Sequence, residues 1–207
     1  MDAKQYAPAT QRNRQPILDV LLQVMPPEGN ILEIASGTGE HGVFFAPHFA
    51  PRRWIPSDRN ILLHDSIKAW CDSASVDNID DPLDIDASAE QWEIEERDVE
   101  IGAIVNINMI HISPWSACLG LMAGAGRILP PGGILYLYGP FKRNGEHTAP
   151  SNASFDESLR RQNSEWGVRD LKAVARAAKA EGLDLQEVIS MSANNFSVIF
   201  MKEKELN

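Results

Sequence analysis

The sequence predicts an α/β fold built on a doubly wound, mostly parallel sheet, and three observations carry that prediction. Apolar runs of strand length alternate with segments of helical period along the whole chain. One run, residues 103–108, is nearly continuous in apolar residues, as a strand buried on both faces requires. Another, Asn30-Ile31-Leu32-Glu33-Ile34-Ala35, stops at the tight turn Ser36-Gly37-Thr38-Gly39 and passes straight into a helical segment. That is how a first parallel strand feeds a ligand-binding loop at the carboxyl edge of a sheet.

The elements follow in order. A helix with Pro16 near its start runs through Ile17, Leu18, Val20, Leu21, Leu22, Val24 and Met25 and ends at Pro26-Pro27. The first strand spans roughly 30–35. The short helix after it, with Val43, Phe44 and Phe45, is ended or kinked by Pro47. Residues 54–58 read as the second strand, 60–74 as an amphipathic helix through Ile61, Leu62, Ile67 and Trp70, and 82–86 as a short third strand. After the fourth strand, Ser113-Pro114 cap and open a helix running to about Leu129. Pro130-Pro131-Gly132-Gly133 turns the chain into a fifth strand at 134–138. Residues 139–167 are polar, and Ser154 with Glu157 three residues on marks a helix start within them. A helix over 169–181 stops at Gly182. Residues 183–191 and 196–202 close the sheet as an antiparallel pair. No repeat, low-complexity tract or linker divides the chain. Residues 1–207 are therefore expected to form one domain, with 1–29 as an N-terminal arm and helix and 139–167 as an insertion on the substrate side.

Composition narrows the functional classes. A chain of 207 residues buries a sizeable core without staples. Its net charge of −10 gives little attraction for a phosphate backbone, which argues against a broad nucleic-acid surface. Cys71 and Cys118 stand far apart in helical segments and read as buried or inert thiols of a reducing compartment. The histidines show no metal-ligand spacing. The N-terminus has no apolar signal core, and no apolar run approaches the roughly 18 residues of a membrane span. A cytoplasmic location with no metal and no membrane partner is expected, and the oligomeric state stays open.

The chemistry gathers in five places. Gly37, Gly39 and Gly42 fit the pattern G-x-G-x-x-G, although a plain glycine turn gives the same letters. Glu33 argues for the kind of ligand: a carboxylate at the strand end repels a pyrophosphate and attracts an ammonium group. S-adenosylmethionine carries an α-ammonium and a sulfonium and has no phosphate. The set Glu33, Ala35, Ser36, Gly37, Thr38 and Gly39 therefore suits that cofactor better than a nicotinamide dinucleotide. Asp58, with Arg59 beside it, ends the second strand where an acidic residue bonds ribose hydroxyls; a helix cap is the competing reading. Asp86 and Ala87 end the third strand, where a carboxylate accepts an adenine amino group; a solvated surface charge competes, and Asp84 shares the same side of the strand.

Asn108 and Met109 leave the fourth strand toward the crevice. They are followed by His111, either a base for a substrate proton near neutral pH or a partner for backbone groups in a tight loop. Tyr138, Lys142 and His147 are weaker candidates for the base. In the polar insertion, Phe141, Lys142, Asn152 and Trp166 are candidates for a substrate wall, against a solvated flap as the alternative, and Arg12 and Asn13 of the arm join them. Arg160, Arg161 and Arg169 either meet an acidic group of the substrate or pair with Asp156, Glu157 and Glu165.

The segment from Glu33 to Gly39 resembles motif I of class I S-adenosylmethionine-dependent methyltransferases, and Leu129-Pro130-Pro131-Gly132-Gly133-Ile134 is similar to the turn before their fifth strand. More narrowly, the whole chain resembles an uncharacterised methyltransferase-like family, a domain of unknown function. The resemblance runs through Ala7-Pro8-Ala9 to Arg12-Asn13-Arg14, Ser36-Gly37-Thr38-Gly39-Glu40-His41, Pro56-Ser57-Asp58, residues 108–115, 138–141, 151–156 and 166–170, and Asn194-Asn195. It implies a seven-stranded sheet with a reversed last strand and a cofactor held by the loop, Asp58, Asp86 and the Asn108 region. It implies no particular acceptor. Pro47 and Asp84 depart from the pattern. The expected function is methyl transfer from S-adenosylmethionine to a small-molecule acceptor. A nicotinamide-dependent oxidoreductase and a non-catalytic S-adenosylmethionine-binding protein are the alternatives.

Overall fold

The computed structural model describes residues 3–203 and shows a six-stranded sheet between two groups of helices. The strands are β1 (Asn30–Ile34), β2 (Trp54–Ser57), β3 (Ile101–Ile107), β4 (Ile134–Gly139), the short β5 (Lys142–Arg143) and β6 (Glu146–His147), β7 (Leu183–Ser190) and β8 (Phe196–Lys202). The helices are α1 (Pro8–Val24), α2 (Glu40–Phe45), α3 (His64–Ala74), α4 (Trp115–Ile128), α5 (Pro150–Gln162) and α6 (Leu171–Ala180). The sheet order is β2-β1-β3-β4-β8-β7, parallel from β2 to β4, with β8 antiparallel to both of its neighbours. β5 and β6 form a separate hairpin. The chain steps from β1 to β2 in one direction and then crosses to the other side of β1 for β3 and β4. The crevice over the carboxyl ends of β1 and β3 is thus the topological switch point, where open α/β sheets bind ligands.

Alternation along the strands decides what each layer buries. In β1, Leu32 and Ile34 join Ile104, Leu135 and Phe200 in the core that holds Leu121, Met122 and Ala125 of α4 and Val174 and Ala178 of α6. Ile31 faces the opposite core, with Trp54, Val105 and Tyr136 from the sheet, Ile17, Leu18 and Leu21 from α1 and Phe45 from α2. Glu33 has the parity of Ile31, so its carboxylate lies under α2, against the Trp54 indole.

Helix α4 approaches the chain on its outer side closely enough to need glycine: a Cβ on Gly120 would lie 2.1 Å from the Ala87 carbonyl oxygen. Gly120→Ala is therefore expected to lower stability by about 1–3 kcal/mol, the scale of overpacking strain. A urea midpoint equal to that of the native chain would show instead that residues 87–88 move aside freely.

The strand expected at 82–86 is not formed, so the sheet has six strands rather than seven. Residues 78–83 run beside β2 and share four backbone bonds with it: Trp54 N to Asn78 O, Asp80 N to Trp54 O, Leu83 N to Pro56 O and Asp58 N to Leu83 O. Trp54 pairs with Ile79 and Ser57 with Leu83, so three steps along β2 match four along the edge. Asp81-Pro82 absorbs the extra residue, and Pro82 has no N–H to give, so the ladder never becomes continuous.

Other expectations shift for local reasons. Pro16 lies inside α1 because Pro8 already occupies the first turn, where a missing N–H leaves nothing unpaired. Leu22 of its expected apolar face is exposed. Ile61 and Leu62 stand in a 3₁₀ turn before α3 and are exposed, whereas Ile67 is buried. Ser113 does not cap α4; its hydroxyl donates to Met109 O and Pro114 takes the cap position. Helix α5 begins at Pro150 rather than near Ser154, again with proline in the first turn. As expected, α2 gives way at Ala46–Phe49 to a 3₁₀ turn containing Pro47. Among the described residues no helix is long and apolar enough to cross a membrane, and no group of His, Cys, Asp and Glu side chains is placed to hold a metal.

Candidate functional site

Just beyond β1 the backbone turns left-handed at Ala35 (φ 60), and just beyond β3 it does so at Asn108 (φ 65). For residues with a Cβ this costs about 1–2 kcal/mol each, and such strain persists where the surrounding fold over-determines it. Between the two turns opens a cleft of about 620 Å³. The chain after β1 contributes Ala35 and Gly37, the chain after β2 Asp58, Arg59, Asn60 and Leu63, and the edge segment Ile85, Asp86 and Ala87. Met109, Ile112 and the start of α4 form the opposite wall, with Asn163 and Trp166 from the insertion.

Two carboxylates define its polarity. Asp58 is buried; its Oδ2 accepts from Gly37 N at 3.0 Å and its Oδ1 from Asn60 N at 2.8 Å. It therefore locks the glycine loop to the exit of β2, and each oxygen keeps lone-pair capacity for a ligand hydroxyl. Asp86 Oδ1 accepts from Ser88 N and Oγ at 2.9 and 2.6 Å, and Arg59 Nη1 lies 3.3 Å from Oδ2. Against the cost of partial burial, the Ser88 donors and Arg59 hold the Asp86 carboxyl below the usual carboxylate range. Arg59 is the one cation on the wall among the described residues, and Asp86 neutralises it, so the cleft is net acidic. The rest of the lining is mostly apolar. A Cβ built on Gly37 would meet nothing within 4 Å, so the loop borders open space.

Of the residues expected to hold a cofactor, Ala35, Gly37, Asp58, Arg59, Asp86, Ala87 and Met109 come together on this cleft. Glu33, Ser36, Thr38, Gly39 and Asn108 are not on its wall. Glu33 Oε2 accepts from Ser36 Oγ at 2.9 Å and Trp54 Nε1 at 3.0 Å, and burial pushes its pKa up to about 7 despite those bonds. Strand parity has turned it beneath the loop, away from the role of ammonium partner given it by position alone. Thr38 Oγ1 donates to Glu40, and Gly39 packs on α3, where a Cβ would lie 2.8 Å from Ile67 Cα.

Neither member of the expected catalytic pair, His111 and Tyr138, lines the cleft. His111 is fully buried, and burial drives its pKa down to about 3. Its Nδ1 accepts from Arg169 N at 3.3 Å, its ring stands edge-on to Phe141 at 5.0 Å, and its carbonyl accepts from Gly167 N. It joins the loop beyond β3 to the insertion and presents no base to the cleft. Tyr138 is buried on the α1 face, hydrogen-bonded to Asn13 and Asn195, and burial raises its pKa, so it keeps its proton at neutral pH.

Most of the expected substrate wall is also structural. Phe141 is fully buried; Lys142 Nζ lies 2.7 Å from Asp156; Asn152 Nδ2 donates to Thr148 Oγ1 and Asn194 O. Asn13 is buried against His41 Nε2 at 2.8 Å, and Arg12 is exposed on α1. Trp166 alone of that set lines the cleft. Asp156 gathers Lys142, His147, Arg160 and the Val168 N–H. Arg169 donates to the carbonyls of Ile110 and Ser113 and so braces the cleft's far wall. Asn60 and Leu63 line the cleft without any motif to mark them, and Ile112 and Asn163 lie within the 108–115 run and the 139–167 insertion without being singled out there.

Comparison with known proteins fits this arrangement. The family profile described as "Protein of unknown function (DUF938)" matches residues 4–202. The chain belongs to that family. Its fold is that of class I S-adenosylmethionine-dependent methyltransferases. An O-methyltransferase family protein from Burkholderia thailandensis superposes with a TM-score of 0.79 at 13% identity, over 96% of this chain and 58% of that one. An O-methyltransferase family 2 protein from Planctomyces limnophilus, solved with apigenin, gives 0.75 at 19% identity, over 94% and 60%. Human N-acetylserotonin methyltransferase, solved with S-adenosylmethionine, gives 0.74 at 14%, over 95% and 53%. The chain thus spans little more than half the length of these proteins, and at such identities the likeness concerns the fold.

Proposed function

We propose that this chain is an S-adenosylmethionine-dependent methyltransferase acting on a small-molecule acceptor. The observation that carries the reading is the net acidic cleft at the switch point, with Asp58 and Asp86 on an otherwise mostly apolar wall. Such a site suits a cationic nucleoside without phosphate: Asp58 alone would serve a dinucleotide's ribose equally well, but Arg59, the one cation on the wall among the described residues, is already paired with Asp86 and is not left for a pyrophosphate. The residues fit the cofactor: Asp58 suits ribose hydroxyls, Asp86 an adenine amino group, and Ile85, Ala87 and Met109 an aromatic base. When bound, the cofactor supplies an electrophilic methyl group. The chain's own part is to orient the two reactants and exclude water, which is where most acceleration of such a transfer arises.

A ligand that binds only the folded state stabilises it by about 2.7 kcal/mol at a hundred times its dissociation constant. For a chain of this size that corresponds to a rise in Tm of roughly 5–10 °C. S-adenosylmethionine or S-adenosylhomocysteine is expected to produce such a rise in a thermal melt, and NAD and NADP none. A shift with NAD alone would transfer the assignment to the oxidoreductases.

A further inference from the structure

The N-terminal segment 3–7 crosses the outside of α3 and reaches the glycine loop through two side chains. Its grip on α3 centres on Trp70: the indole Nε1 donates to Gln5 O at 2.9 Å, the Tyr6 ring meets the indole edge-on at 5.1 Å, and Lys4 Nζ lies 5.0 Å above it. The segment then bonds twice more. Gln5 N donates to Ser66 Oγ at 2.8 Å, and Ala7 N donates to Glu40 Oε2. Both of these side chains also hold Thr38 of the loop. Ser66 Oγ donates to Thr38 O at 2.9 Å, and Glu40 Oε2 accepts from Thr38 Oγ1 at 3.0 Å. Ser66 and Glu40 are buried, whereas Tyr6 is 63% exposed.

The geometry points to a strap. We propose that residues 3–7 dock on Trp70 in a manner coupled, through Glu40 and Ser66, to the conformation of residues 37–39, so that strap docking and nucleoside binding reinforce each other. Glu40 is the positioning residue: a single carboxylate oxygen accepts from the strap backbone and from the loop hydroxyl. Thr38 precedes Gly39, which rests on α3, and follows Gly37, whose N–H is held by Asp58 on the cleft wall. Movement of Thr38 is thereby passed to the carboxylate that faces the ligand. The strap buries little of itself, so its docked state has low local stability and its equilibrium is open to bias from the loop. By linkage, a ligand that fixes the loop must favour the docked strap by the factor that the strap favours the ligand.

The cofactor arm of this inference rests on the function proposed above; the strap-to-loop arm does not. Trp70→Ala removes the strap's anchor without touching the loop's own bonds, and Tyr6→Ala, at an exposed position, is the milder equivalent. In the absence of ligand, Trp70→Ala is expected to raise hydrogen exchange at residues 38–42. By calorimetry its Kd for S-adenosylhomocysteine is expected to rise at least about fivefold, the lower end of ordinary coupling. In a Glu40→Ala background the Trp70→Ala effect should shrink to what the Ser66 path alone carries, in Glu40→Ala/Ser66→Ala it should vanish, and Glu40→Gln, which keeps a shared oxygen acceptor, should restore it. Unchanged exchange at 38–42 in both strap variants would overturn the coupling. Unchanged affinity in a chain whose native form binds S-adenosylhomocysteine would overturn the cooperativity. A native chain that binds no S-adenosylhomocysteine would refute the proposed function, and the exchange arm would still decide whether strap and loop are coupled.

Discussion

Asp58→Ala is expected to weaken S-adenosylhomocysteine binding about 10- to 100-fold while also lowering stability. The two effects have separate origins. Lost hydrogen bonds to a charged acceptor are worth about 1.5–3 kcal/mol, and each 1.4 kcal/mol is a factor of ten in affinity. The stability loss arises because Gly37 N and Asn60 N both donate to this carboxylate. Leaving either without an acceptor costs about 1–3 kcal/mol if water does not replace it. A purely cofactor-binding aspartate would have been silent in the ligand-free protein; this one is also the pin between two loops. Asp58→Asn keeps one acceptor oxygen and should recover part of both losses. Calorimetry paired with urea denaturation separates them, and a stability loss with full affinity would reduce Asp58 to a loop pin.

The second large effect is a pH dependence hidden under the glycine loop. Glu33 has its pKa pushed from 4.5 to about 7 by burial. The folded chain therefore holds this proton more tightly than the unfolded chain. The resulting stability is present in full below pH 4.5 and is lost as pH rises toward 7, by about 3 kcal/mol at 1.36 kcal/mol per unit. His111 acts in the opposite sense. Its pKa falls from 6.5 to about 3, so its contribution is present above 6.5 and lost as pH falls toward 3. Between about 4.5 and 6.5 the two oppose each other. Glu33→Gln mimics the protonated carboxyl at every pH. It should leave stability near pH 4.5 unchanged, raise it by up to about 3 kcal/mol at pH 8, and leave S-adenosylhomocysteine affinity within a few-fold. Denaturation at pH 5 and pH 8 checks this. A Glu33→Gln increment equal at both pH values would sink the account, and an affinity loss beyond tenfold with unchanged ligand-free stability would restore Glu33 as a direct cofactor contact.

These two residues show what the sequence makes legible. The place of Asp58 on the cleft is legible because it depends on chain position: the residue ends a strand next to the switch point, and that is decided by strand order. Asp86 and Met109 were readable for the same reason, and they line the cleft. Glu33 and Tyr138 fall off the cleft wall because their placement depends on which way a strand side chain points. A strand end is easily found within a residue, but an error of one residue reverses the face. The burial of His111 is not legible in the sequence, because it comes from Phe141 and residues 167–169, distant along the chain. The missing strand at 82–86 has a local cause in Pro82, whereas α5 began early because Pro150 outranked the capping pattern at Ser154. Arg169 could not be assigned in advance, since its partners are the carbonyls of Ile110 and Ser113 and carbonyls leave no mark in a sequence.

Asp156 has a consequence for selectivity. One buried carboxylate holds Lys142 and His147 of the hairpin, Arg160 of α5 and the backbone at Val168, so the insertion that carries Asn163 and Trp166 to the cleft is fastened from within. A wall that is ordered before its guest arrives demands no ordering entropy when the guest binds, and it does not reshape itself around a poor one. On the function proposed above, discrimination at that wall would be by fixed shape, which favours a narrow range of molecules over a broad one. A change of guest would then call for altered side chains at Trp166 and Asn163 rather than a looser hinge.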